Sequence, residues 1–120
     1  MSKVPDMMEL VVFATIKDLR YASGYDIEKR VPEHFPISRL SFGTIYPLLH
    51  KHKEEGNLVV FKSNGVNKRT RILYTLSPKG LEYLKNETKK LEFMLGIIEL
   101  SFTKVSVPKV KRKRKIEIVA

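Results

Sequence analysis

Residues 38–56 read S-R-L-S-F-G-T-I-Y-P-L-L-H-K-H-K-E-E-G, and the fold follows from how this stretch is taken. Ser41 has the hydroxyl of a helix cap, able to accept a hydrogen bond from a free N–H in the first turn. Ile45, Leu48, Leu49 and His52 recur at the spacing of one helix face. Gly56 follows where a left-handed C-cap wants a residue without a Cβ. The other face carries Gly43, Thr44, Tyr46, Pro47, His50 and Lys51, small, polar or basic, so a second backbone can approach it. Pro47 lies several residues inside this helix and costs it a hydrogen bond. Either the first turn is irregular or the regular helix begins after Ser41.

On the N-terminal side, Ser23 caps a short helix through about Val31, with Tyr25, Ile27 and Val31 as its core residues and Pro32 closing it. Residues 32–40 form a connection pinned by Phe35 and Leu40. Helix, turn and capped helix are the parts of a helix-turn-helix, whose last helix enters the major groove of DNA. On the C-terminal side the period changes. Residues 58–63 and 71–76 are β-branched and aromatic runs around a seven-residue connection, with Asn64-Gly65 as a turn signal. A hairpin in this place is what a wing looks like.

Three motifs resemble those of the PadR-type winged-helix transcriptional regulators. S-F-G-T-I-Y-P-L-L with E-E-G-N-L-V resembles their recognition-helix signature. Residues 22–31, A-S-G-Y-D-I-E-K-R-V, are similar to their H-G-Y-E-I stretch, with Ser23 in place of the His. Residues 74–80, Y-T-L-S-P-K-G, are similar to their Y-x-L-T-x-x-G. The likeness covers roughly residues 7 to 100, in family order. It implies repression of transcription, and dimerisation through one C-terminal helix. Relatives can hold planar ligands at the dimer interface, but no residue here announces such a pocket, so an effector is left open.

Farther out, Asp6 and Glu9 form a capping-box pair opening a first helix from about Asp6 to Arg20. That helix is apolar around most of its circumference, which predicts cover on a second side by a partner subunit; a single wide core face is the alternative. Ser77-Pro78 opens the last helix. Leu81, Leu84, Thr88, Leu91, Leu95, Ile98 and Phe102 then alternate at three and four, a heptad seam over three heptads. A helix from Pro78 to Lys104 spans about 40 Å, longer than a small core can bury, so the seam predicts a dimer interface. Beyond Pro108, six of the seven residues 109–115 are basic: Lys109, Lys111, Arg112, Lys113, Arg114 and Lys115. Such a run is an interaction arm, or its apolar end adds a strand to something.

The 120 residues make one small domain's worth of chain, 42% hydrophobic, with a formal charge of +10. That charge asks for a polyanionic partner. Without the tail's six, the 23 basic residues fall to 17 against 13 acidic. No cysteine is present, so neither a disulfide framework nor a thiolate metal site is expected. The longest apolar run, Leu10 to Ala14, is far short of a membrane span, which makes cytoplasmic the default. His50 and His52, two apart on a helix, point in different directions and suit no shared metal. No catalytic constellation can be argued from spacing, and neither an enzyme nor a cofactor is expected.

The expectation is therefore an α+β, mainly α, fold: a winged helix-turn-helix over 1–77 with a two-stranded wing, a long dimerisation helix over 78–104 and a basic tail over 105–120. Its function would be sequence-specific binding of duplex DNA by a homodimer. Thr44, Tyr46, His50 and Lys51 would face the groove, with Arg39 and Ser41 at the helix entry. Lys62, Lys68, Arg69 and Arg71 on the wing and the basic tail would meet phosphates. The seam members Leu81, Leu84, Leu91, Leu95, Ile98 and Phe102 would form the dimer interface. The rivals are a non-specific architectural DNA-binding protein and a protein-interaction module, with RNA also conceivable.

Overall fold

The computed structural model describes residues 4–37, 40–64 and 70–106, the last four by backbone alone. The order is α1 (Met7–Leu19), α2 (Gly24–His34), α3 (Phe42–Glu54), β1 (Leu58–Asn64), β2 (Thr70–Leu76) and α4 (Pro78–Ser106). This is the winged-helix arrangement, mainly helical, with a two-stranded antiparallel sheet. The candidates Arg39, Lys68, Arg69 and the six basic tail residues lie outside the described residues.

Local signals set most of these boundaries. Asp6 caps α1, its Oδ1 accepting from the N–H of Met8 (2.9 Å) and Glu9 (3.3 Å). Ser23 and Asp26 form a reciprocal capping box at α2. Ser41 Oγ accepts from the Thr44 N–H at the start of α3 (3.3 Å). At the far end of α3, Gly56 is left-handed (φ 84°). Its N–H reaches Lys53 O (3.1 Å) and the Asn57 N–H reaches His52 O (2.8 Å), the paired bonds of a Schellman ending. Pro47 sits inside an unbroken α3. Of the two alternatives the tight first turn is the one observed: Thr44 and Ile45 N–H both reach Ser41 O (3.0 and 3.1 Å). The hydrogen bond that Pro47 forfeits is the one to Gly43, which is solvent-exposed.

Three expectations change. Pro32 does not close α2, which runs on to His34. The ring removes only its own bond, and the Phe35 N–H still reaches Val31 O (2.9 Å). Tyr25 is not a core residue but 62% exposed, with the Lys29 ammonium 5.4 Å from its ring centre. In α1, Leu10, Val11, Val12, Phe13 and Ile16 are all buried within a single chain. The wide core face thus covers most of the apolar surface of this helix, leaving Met7 and Met8 exposed, with Val4 exposed just before it.

The core gathers Val12, Phe13 and Ile16 of α1, Ile27 and Val31 of α2, Ile45 and Leu49 of α3, and Leu58 and Tyr74 of the sheet. The strands pair from Leu58 opposite Leu76 to Asn64 opposite Thr70. Asn64 is therefore still in the ladder, and the connection shortens to residues 65–69. Ala22 adds a bridge to the free edge of β2, exchanging two backbone hydrogen bonds with Tyr74 (3.0 and 2.8 Å).

Chain contacts divide the molecule into one unit through Thr88 and another from Lys89 on. The first takes in the opening of α4, where Tyr83 and Leu84 rest on the core. Ser77 Oγ accepts from the Gly80 N–H (3.0 Å) and donates to Gly56 O (2.7 Å). A Cβ on Gly80 would stand 2.0 Å from Asn57 O, so only glycine lets α4 start this close to the end of α3. In the second unit Phe93, Leu95, Ile97, Ile98, Leu100 and Phe102 are all exposed, Phe102 at 70%.

Candidate nucleic-acid interface

The capped α3 divides as its sequence suggested. Ile45, Leu49 and His52 are fully buried, and Gly43, Thr44, Tyr46, Pro47, His50 and Lys51 are exposed along the other side. Ser41 is exposed at the helix entry, its hydroxyl 3.2 Å from that of Thr44. Phe42, half-exposed and given no role by the sequence pattern, leans on Tyr46 with ring centres 5.4 Å apart. The ring has room because residue 24 is glycine: a Cβ there would lie 2.4 Å from Phe42 Cε1. A groove of about 360 Å³ separates α3 from the hairpin, with Phe42, Tyr46, His50, Lys53, Lys62 and Tyr74 among its walls. Aromatic faces and three nitrogen-bearing side chains thus share one concave surface.

Two of the cations assigned to this surface have acidic partners in the protein itself. Lys51 Nζ donates to Glu9 Oε2 (3.1 Å), and that hydrogen bond raises the lysine above its ordinary range. Arg71 Nη2 donates to Asp26 Oδ2 (2.8 Å) and Ser23 Oγ (3.1 Å). Lys62 is exposed on β1.

Behind the exposed face lies a cluster that periodicity did not disclose. Glu9 of α1, whose side chain is only 8% exposed, accepts from the Tyr83 hydroxyl of α4 and from Lys51 of α3. Nε2 of the buried His52 is 3.2 Å away, close enough for charge but off the direction of a good hydrogen bond. Asn57 Nδ2 lies 2.9 Å from His52 Nδ1; where Nδ1 of the neutral ring accepts that bond, the ring's hydrogen is on Nε2, on the side of Glu9. Burial pushes the Glu9 carboxyl up. The Tyr83 and Lys51 hydrogen bonds and the His52 ring outweigh it and hold the carboxyl below its ordinary value. Burial and Glu9 together drive the Tyr83 phenol well up. The expected reciprocal half of a capping box is thus not what Glu9 does: it joins three helices, one of them the helix that bears the exposed face. Periodicity puts His52 on the core side of α3 and says nothing of its partners. Glu9 and Tyr83 are 74 residues apart, and no local pattern links them.

A capped helix with an exposed low-relief face, followed by a hairpin, defines the class: a winged helix-turn-helix protein. The model of the transcriptional regulator PadR-like family matches residues 12–86, more than half the chain, and the protein belongs to that family. Among solved structures it is similar to a PadR family transcription regulator from Clostridium difficile R20291, with TM-score 0.70 and 19% identity over 81% of this chain and 99% of that one. A PadR family regulator from Eggerthella lenta shares 27% identity at TM-score 0.63, covering 78% and 87%. Bacillus subtilis PadR, solved in complex with operator DNA, matches with TM-score 0.60 and 23% identity over 68% of this chain and 46% of that one. No curated protein matches the sequence.

Proposed function

We propose that this regulator binds duplex DNA as a homodimer, reads an inverted repeat through α3, and represses transcription from that site. The observation that carries the reading is the exposed face of α3, where Thr44, Tyr46 and His50 stand clear of the core while Ile45, Leu49 and His52 anchor the helix from behind. A helix held so rigidly on one side and so low on the other suits close approach to base edges. Lys62 and Lys53 beside it suit phosphates. The operator complex of the Bacillus subtilis relative supports the same use of the fold. Dimerisation through Leu91, Leu95, Ile98 and Phe102 would cover apolar side chains that a single chain leaves half-buried or exposed. The cytoplasm is the compartment this reading requires.

Selection of bound duplexes from a random pool tests it. The expected result is an inverted repeat with half-sites about one helical turn, roughly 34 Å, apart, and altered base preference in Thr44→Ala or His50→Ala. Equal affinity for selected and scrambled duplexes would favour the architectural alternative instead. Stopping the chain at Val107 should weaken binding to both duplexes alike and preserve their ratio, since phosphate contacts carry no base information.

A further inference from the structure

We infer that Arg71 acts as a latch setting the position of the wing, and not as a contact to DNA; the inference rests on the DNA-binding reading above. The segment between α1 and α2 runs alongside β2 and ties to it at three levels. Thr75 Oγ1 donates to Arg20 O (2.6 Å), Tyr74 exchanges backbone hydrogen bonds with Ala22, and Arg71 reaches Ser23 and Asp26. Among the described residues Arg71 is the outermost tie, one residue inside the start of β2 and opposite Ser63 in the ladder. Inward of it the hairpin rests on buried Leu73 and Tyr74. Outward of it the described ladder holds one more pair, Asn64 opposite Thr70, and a two-stranded ribbon is marginal by itself.

The chemistry of the latch is specific. Asp26 Oδ2 accepts the Ser23 N–H (3.0 Å) while Ser23 Oγ accepts the Asp26 N–H (3.1 Å), so both acceptors of the guanidinium are already held in the capping box of α2. Arg71 therefore meets an oriented pair on the rigid start of a helix, which lowers the ordering cost that usually cancels an exposed ion pair. Its effect falls on Lys62, opposite Ile72 in the register and on the wall of the groove facing α3. The latch holds that lysine at a fixed distance from the recognition face.

The two roles predict opposite signs for one substitution. If Arg71 is the latch, Asp26→Asn weakens binding to the selected duplex by roughly two- to fivefold, Arg71→Gln does the same, and the double variant is no worse than either. The salt slope stays as in the wild type. If Arg71 instead contacts a phosphate, Asp26→Asn releases it and tightens binding, and Arg71→Gln flattens the slope of log affinity against log salt by about 0.9; that outcome overturns the latch. Amide hydrogen exchange on the free protein gives a reading independent of DNA. Arg71→Gln should speed exchange at residues 62–64 and 70–72 and leave the α1 and α3 amides as they were. Unchanged exchange there overturns the latch, even if the protein binds no duplex and the functional reading itself fails.

Discussion

Glu9 carries a charge in a place where charge is costly, and it holds that charge because three side chains face it. Burial alone would favour the neutral acid, but Tyr83 donates to one oxygen and Lys51 to the other, with His52 alongside. The net depression of its pKa couples proton binding to folding. Unfolded chain takes up the proton near the ordinary value of 4.5; folded chain resists until lower pH. The stability Glu9 contributes is therefore complete above that value and is lost as pH falls through the folded pKa. Glu9→Gln should cost about 2 kcal/mol at neutral pH, and the gap between variant and wild type should close in acid. Urea midpoints across a pH series would show this; a gap that widens, or fails to narrow at all, as pH is lowered from 4.5 into strong acid would refute it.

At the scale of elements, the ends are set locally and the contacts are not. Ser23 with Asp26, Ser41, Gly56 and Ser77 with Pro78 lie within a turn of the helix ends they mark, so their signals survive in the bare sequence. Pro32 misled because a proline removes one hydrogen bond, and one bond does not outweigh the remaining turn. Tyr25 misled because an aromatic near a cap reads as core until the neighbours are placed. Of the capping pair, Asp6 caps the helix while a better set of partners, distant in sequence, takes Glu9 away from the cap. The exposed face of α3 was legible from its period. The pairings of Lys51 and Arg71 were not, because each partner is more than 40 residues away. Gly80 marks the tightest seam between elements. Gly80→Ala would push a methyl into the Asn57 carbonyl, and backbone, unlike a side-chain tip, has nowhere to turn. A loss of about 2 kcal/mol or more is expected, read from thermal or urea unfolding, together with weakening of the hydrogen bond between the Asn57 side chain and His52. A variant as stable as the wild type would mean that α4 can start elsewhere.

For the whole molecule, the decisive quantity is assembly. The seam of α4 continues past Thr88 with apolar side chains left exposed in one chain, and a second chain is the proposed cover. Glutamates in place of Leu91 and Leu95 would each lose about 3 kcal/mol in a desolvated seam. Together they should weaken dimerisation by more than about a hundredfold. Light scattering at micromolar concentration should then report a dimer for the wild type and a monomer for the double variant. A wild-type monomer, or a variant of unchanged mass, would remove the seam from the assembly.

The joint that Glu9 makes with Tyr83 also gives the protein an optical reporter. There is no tryptophan and there are five tyrosines, so phenol chromophores dominate its near-ultraviolet spectrum. The Tyr83 phenol is driven up by burial and by the carboxylate it donates to, and Tyr74 is raised by burial. Unfolded tyrosine ionises near 10.0, so in alkali the folded state holds on to protons that the unfolded state releases, and stability drains away as pH climbs past that value. Phenolate absorbance that grows late and in step with loss of helix would time the parting of α1 and α4. In Glu9→Gln the same colour change should come earlier, making the buried anchorage of α3 visible without any added dye.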